Sequence, residues 1–138
     1  MLFRSQTTAA HAMSYKLTSL YGIAHGHAVA LCLPLVWKYT LTHPTFLQEG
    51  VLPEHLSSAL AIFRQVLKAG TDEDALAHFL FILDYFHMDK PKLRTPDELV
   101  LLADAVNPQR LKNNPIALDR EAIKGMYEFI LGVNTSEA

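Results

Sequence analysis

Along most of the chain apolar residues recur every three or four positions, and nowhere do apolar and polar residues alternate convincingly over the length of a strand. The pattern predicts helix after helix. Thr7 to Leu20 is rich in Ala, Leu, Met and Lys without proline, and Gly22 after Tyr21 supplies a C-terminal stop. A second helix is predicted from about His25 to Thr40. Its middle, "AVALCLPLVW", is apolar on all sides, which places it at the centre of the packing, with Pro34 as a point where it can bend. After the loop "THPTFLQEGV", Leu56, Leu60, Phe63 and Leu67 form a helical stripe opened by Pro53 and closed by Gly70. Thr71 can cap the next helix, with Asp72, Glu73 and Asp74 complementing the dipole of its first turn and Leu76, Phe79, Leu80, Leu83 and Phe86 as its stripe. "TPDE" has the form of a capping box, in which Thr95 is the N-cap, Pro96 the first helical residue and Glu98 the side chain that reaches back to the Thr95 amide. The short helix that follows ends near Val106, and "NPQRLKNNP" reads as turn chemistry around one helical turn. Asp119 then caps a last helix carrying Ile123, Met126, Tyr127, Ile130 and Leu131, and the tail "NTSEA" is expected to fray. The fold class is therefore all-α, a multi-helix bundle with short connections.

Length and composition narrow the function classes. A chain of 138 residues is one ordinary domain, and 50% hydrophobic with 19% charged residues is a globular composition, neither disordered nor a disulfide scaffold. The net charge of −2 is spread without a Lys/Arg block, so nucleic acid and membrane surfaces are not expected partners. The longest apolar run, Ala28 to Trp37, is about half of what a membrane span requires. The first ten residues have no apolar core of the kind a secretory signal needs. The lone Cys32 lies in that apolar run, where it packs as a small apolar group, and a reducing, cytoplasmic setting is expected.

The candidate chemistry sits in "HAMSYKLTSLYGIAHGHA", which holds His11, His25 and His27. On one unbroken helix His11 and His25 would stand about 21 Å apart, too far to share an ion. Gly22 changes this, because a chain that turns back at "YGIA" brings His25 into the second helix as it packs on the first, and Gly26 lets backbone approach closely. Two nitrogens are half of a metal site, since zinc takes four ligands and open-site iron at least three from protein. At this level two readings stand side by side, a metal-binding pair or two helix-end histidines satisfied by hydrogen bonds. His43, His55, His78 and His87 stand apart from other ligand residues and are expected to be structural or exposed.

The string "HAMSYKLTSLYGIAHGHAVALCLPLVWKY" resembles the signature region of the iron-containing (group III) alcohol dehydrogenases: a histidine, a small-and-apolar stretch, then a Gly-x-Pro-His-Gly turn leading into an apolar helix. In that family the signature lies in the helical C-terminal domain, which is similar to the α domain of dehydroquinate synthase and of glycerol dehydrogenase. The resemblance implies that His11 and His25 are metal ligands, that Tyr15 stands where many members carry a further histidine near substrate and nicotinamide, and that His27 lies near the substrate or behind the ligands. Ala24 replaces the usual proline of the turn. The wording is similar to that of members that reduce phosphonoacetaldehyde or a similar small aldehyde. The family's other two ligands, an aspartate and a histidine four residues apart on an earlier helix, have no counterpart here. Nor does the chain contain a Gly-rich strand-to-helix turn able to cradle a pyrophosphate, so residues 1–138 are expected to be a single helical domain without the nucleotide-binding domain.

The resemblance thus implies a fragment of an enzyme that interconverts a small alcohol and aldehyde with Fe(II) or Zn(II) and NAD(P), with the isolated chain inactive. Two other readings remain at this stage. One is a freestanding helical module that associates with copies of itself through apolar surface, so that a homo-oligomer is expected. The other is an intersubunit metal site in which His11 and His25 of two copies supply four nitrogens.

Overall fold

The computed structural model describes residues 7–133, and among them the architecture is all-α, as the periodicity predicts. Seven helices follow in order: α1 Ala9–Tyr21, α2 His25–Thr42, α3 Pro53–Val66, α4 Asp72–Tyr85, α5 Asp97–Ala105, α6 Pro108–Leu111 and α7 Arg120–Ile130. The predicted tail lies outside the described residues. No described helix is long and apolar enough to cross a membrane.

α2 is the centre of the packing, against α1, α4 and α7, and it continues through Pro34. Its Ala28, Leu31, Cys32 and Val36 meet Met13 and Leu17 of α1 and Met126, Tyr127 and Ile130 of α7 in one core, with Leu99 and Leu102 of α5 closing it. The small residues Ala9, Ala10, Ala12 and Ala28 are buried there. The Tyr127 hydroxyl, fully buried, donates 2.8 Å to the Met13 carbonyl and ties the last helix to the first. Cys32 is fully buried, and that burial pushes its thiol up to about 12.

α1 and α2 form an αα-hairpin because Gly22 takes φ +68°, ψ +19°, a left-handed conformation that lets its N–H close on the Thr18 carbonyl at 3.0 Å. The far end of α1 is anchored to α5. Glu98 accepts from the Tyr21 hydroxyl (2.7 Å), the Arg94 backbone N–H (3.0 Å) and the Arg94 Nε–H (2.7 Å), while Arg94 also donates to the Leu20 carbonyl at 3.1 Å. Chiefly the Arg94 backbone bond, working against burial, holds the Glu98 carboxyl below its ordinary range, and burial followed by the Glu98 bond pushes the Tyr21 phenol up.

This arrangement corrects the capping box. Pro96, with helical φ −58°, ψ −30°, is the N-cap itself, so Thr95 lies one residue outside and makes no side-chain cap. Glu98 reaches back past Thr95 to the Arg94 amide because Tyr21 and the Arg94 guanidinium converge on the same carboxylate. Thr71, Asn107 and Asp119 do cap their helices, accepting from the amides of Asp74, Gln109 and Ala122.

The stripes of α3 and α4 are less covered than their periodicity implies. No residue of α3 is buried, and in α4 only Ala75 is. Leu56, Leu60 and Leu67 are half-buried, whereas Phe63, Leu80 and Phe86 are exposed. Among the described helices the backbone of α3 approaches only α4, with Phe63 reaching the Trp37 ring of α2. Lys68, with φ +52°, and not Gly70, ends α3; His87, with φ +53°, ends α4 in the same way. The loop after α2 is pinned to the segment before α7 by an isolated bridge, Leu47 to Ile116, with Gln48 N–H donating to Pro115 and Ala117 N–H to Phe46.

Candidate functional site

His11 lies in the first turns of α1 and His25 is the first residue of α2, so the Gly22 hairpin returns the chain to where it began. The two imidazoles stand with ring centroids 4.6 Å apart at 78°, and Tyr15, one turn after His11, closes a triangle with centroids 4.9 Å from His11 and 5.5 Å from His25. The turn at Gly22 thus brings His25 against His11. His25 and Tyr15 are exposed and His11 is half-buried, which leaves the cluster open to solvent.

Hydrogen bonds orient the rings. Ser14 is fully buried, and its Oγ–H donates to the His11 carbonyl at 2.6 Å, so its one proton is committed. The long contact of 3.4 Å between Ser14 Oγ and His25 Nδ1 is then a donation from His25 Nδ1–H, and His25 Nε2 has no hydrogen-bond partner among the described residues. Arg110 Nη1 donates to the Tyr15 hydroxyl at 3.1 Å and to Thr7 Oγ1 at 3.2 Å. Tyr15 in turn donates to His11 Nε2 at 2.6 Å. Burial, then the charges of His25 and Arg110, hold His11 below the ordinary imidazole range and favour its neutral form.

Two imidazoles bound to one ion at about 2.1 Å through one nitrogen each have ring centres roughly 4.6 Å apart at a right angle and roughly 5.3 Å apart at the tetrahedral angle. The observed 4.6 Å lies at the right-angle end of that interval. The donor set, two imidazoles, suits zinc or iron. A hydrogen bond from the second ring nitrogen, as His25 makes to Ser14, is the usual way such a ligand is oriented. Ligation by His11 through Nε2 would exchange the Tyr15 hydrogen bond for a bond to metal. Among the described residues no group of three or more His, Cys, Asp or Glu side chains comes together, so the pair by itself offers two of the four ligands that zinc takes.

The other histidines are engaged elsewhere. His27, two residues after His25 in α2, donates from Nε2 to the Asp89 carbonyl at 2.7 Å and makes no ring contact with His11, Tyr15 or His25. His43 stacks on Tyr39 with centroids 3.8 Å apart, and His78 donates from Nδ1 to the Leu67 carbonyl at 2.7 Å, while His55 and His87 are exposed. Arg110 is the residue that sequence reasoning missed. It belongs to the single helical turn α6, and the only local sign of its placement is the Asn107–Pro108 cap and first-turn pair that fixes where the turn starts.

A cavity of about 610 Å³ lies between α2, α4 and α7, walled by Leu31, Pro34, Leu83, Met126 and Phe129. It includes none of His11, Tyr15, His25 or Arg110, so the polar cluster and the apolar cavity are separate features. No curated protein and no solved structure matches the chain. Residues 1–131 match the C-terminal region of the Fe-containing alcohol dehydrogenase family, and the chain belongs to that family.

Proposed function

We propose that this chain supplies His11 and His25 to the divalent-metal centre of a NAD(P)-dependent dehydrogenase acting on a small alcohol or aldehyde, and that these 138 residues alone do not turn over. The observation that carries the reading is the approach of two imidazoles from different helices: the His11 and His25 ring centroids stand 4.6 Å apart, and His25 is oriented by the contact of its Nδ1 with Ser14 Oγ. Fe(II) or Zn(II), when bound, supplies Lewis-acid polarisation of the substrate oxygen. His11 and His25, from two helices joined by the Gly22 turn, would hold the ion. Tyr15, fixed by Arg110, has its hydroxyl beside His11 and would offer a hydrogen bond to a developing alkoxide. His27 supports the start of α2 from behind through the Asp89 carbonyl. The nicotinamide has no binding turn in this sequence and is held by a separate nucleotide-binding domain.

The test is metal content after incubation with Fe(II) or Zn(II) and removal of the excess, in wild type and in a His11→Ala, His25→Ala double variant. Retained metal that disappears in the double variant is expected, together with no NAD(P)H oxidation in the presence of an aldehyde. Equal metal in both proteins, or none in either, overturns the ligand assignment, and NAD(P)H turnover by the chain overturns its inactivity.

A second reading, self-association without catalysis, is favoured by the exposed side of the α3–α4 hairpin. On α4, Phe81 and Tyr85 are 70% and 69% exposed, flanked by Ile82 and Phe86 at helical spacing. Ile62, Phe63 and Val66 on α3 bring the exposed apolar area to roughly 700–800 Å², taking ordinary side-chain areas. That is close to the ~800 Å² each partner contributes to a standard interface. A second copy is the occupant we propose. Sedimentation velocity is expected to show a dimer that Phe81→Glu dissociates; a wild-type monomer at about 100 μM excludes an interface of standard size and affinity.

A further inference from the structure

α4 and α7 both pack on α2, yet among the described helices they do not approach each other, and the cavity of about 610 Å³ lies between them with α2 as its floor. Along α2 its lining runs from Ala30 to Thr42, a span of roughly 18 Å at ~1.5 Å per residue. One end is closed. The segment after α4 crosses that end from wall to wall: the Asp89 carbonyl accepts from His27 of α2, and Lys90 Nζ lies 4.0 Å from the centre of the Phe129 ring of α7. At the opposite end stand Lys38, Tyr39 and Thr42. No carboxylate among the described residues pairs with Lys38, and that of Asp119, which caps α7 near Tyr39, accepts from the Ala122 amide. Between the two ends the walls are Leu31, Pro34, Leu83, Met126 and Phe129, which offer water few hydrogen bonds. The volume falls within the ~300–1,000 Å³ of small-molecule sites.

We infer that this trough binds the aliphatic chain of a medium-chain carboxylate, with the methyl end against the Asp89–Lys90 strap and the head at Lys38. A long apolar space with one blind end selects a narrow, flexible chain, whereas a partner helix about 10–12 Å across would run into the strap. Met88 and Met126, unbranched and flexible, fit their shape to such a chain. The charges set its direction. Asp84 and Asp89 line the closed end and repel a carboxylate there, while the Lys90 ammonium is engaged with the Phe129 ring, and Lys38 is the cation at the opposite end. None of His11, Tyr15 and His25 lines the trough, so the site is separate from the candidate metal centre and does not depend on the proposed function.

Methionine-methyl NMR of the full chain reads the site directly, because Met88 and Met126 line it and Met13 does not. Octanoate, nonanoate and decanoate, each below its micelle concentration, should give saturable shifts of Met88 and Met126 with Met13 in place, and the affinity should rise about threefold to fourfold per added methylene. Acetate, which carries the head without the chain, should give none. Gly125 lines the trough with room for a side chain, since a Cβ there meets no heavy atom within 4 Å. Gly125→Leu should therefore weaken decanoate binding by about tenfold or more, and Ala122→Leu, about one turn earlier on the same wall, should do the same, with helix content checked by far-UV circular dichroism. Lys38→Gln should weaken all three carboxylates by the same few-fold factor, leaving the dependence on chain length unchanged. Shifts that do not saturate, acetate shifts equal to those of decanoate, or decanoate affinity unchanged in both Leu variants overturn the inference. Binding lost in Phe81→Glu but kept in the two Leu variants also overturns it, because the chain then lies on the exposed face of α4. Unchanged affinity in Lys38→Gln overturns the assigned direction of the chain.

Discussion

Substituting alanine at Gly22 should destabilise the protein, and the same substitution at Gly125 should stabilise it. At neither position does a Cβ atom meet any heavy atom within 4 Å, so packing plays no part and only backbone conformation decides the sign. Gly22 has φ +68°, where an L side chain costs roughly 1–2 kcal/mol. Against this, alanine lowers the entropy of the unfolded chain by the equivalent of roughly 0.4–1 kcal/mol, leaving a net loss of about 1 kcal/mol. Gly125 lies inside α7 on its exposed side, where alanine gains up to about 1 kcal/mol of helix propensity. With an unfolding entropy of ~2.1 cal/mol/K per residue over 138 residues, each kilocalorie moves the midpoint by about 3 °C. Urea unfolding followed by far-UV circular dichroism should therefore show the Gly22→Ala midpoint below wild type and the Gly125→Ala midpoint above it, with equal slopes. A Gly22→Ala protein as stable as wild type would mean that the chain does not turn back through a left-handed residue there, and the account of how His25 reaches His11 would fail with it.

Three further outcomes follow from the same contacts. Tyr127→Phe removes the bond to Met13 but leaves that carbonyl its helical partner, so a loss of about 1 kcal/mol is expected in thermal unfolding, and a loss above ~3 kcal/mol would show that the ring itself had moved. Because the folded state holds the Glu98 carboxyl below 4.5, the stability it gives is present above that pH and is lost as pH falls through the lowered value; Glu98→Gln should flatten the acid side of the stability profile, and an unchanged profile would contradict the network. Cys32, buried with its thiol near 12, should be inert to a disulfide reagent at pH 8 in the native protein and react rapidly in urea, whereas prompt native labelling would show the α1–α2 core to be open.

The helices and their order are legible in the sequence because each carries a long 3.6-residue pattern, and the hairpin is legible because a glycine interrupts that pattern between two histidines. What local pattern does not carry is how much neighbouring structure covers a stripe. Leu56, Leu60 and Phe63 mark the side of α3 that faces α4 and Trp37, yet no third layer buries them, and nothing within α3 encodes that. The box at Thr95 misleads for a related reason, since Tyr21, 77 residues away from Glu98, competes for the carboxylate that the motif assigns to a local amide. His27 and Arg110 are set by partners equally remote in sequence, the Asp89 carbonyl and the Thr7–Tyr15 pair. A single arginine in a turn has no periodicity to reveal which surface it will join.

The central claim is that His11 and His25 act together as ligands while the chain's other histidines do not. Long-range proton–nitrogen NMR resolves the two nitrogens of each of the seven imidazoles, and Zn(II) can be titrated into the same sample. The account predicts that in the metal-free protein His25 is protonated on Nδ1, and that zinc shifts the Nε2 resonances of His11 and His25 in parallel, leaving His27, His43, His55, His78 and His87 in place. Zinc-induced shifts spread over exposed histidines such as His55, or a His25 protonated on Nε2 at the outset, would contradict it.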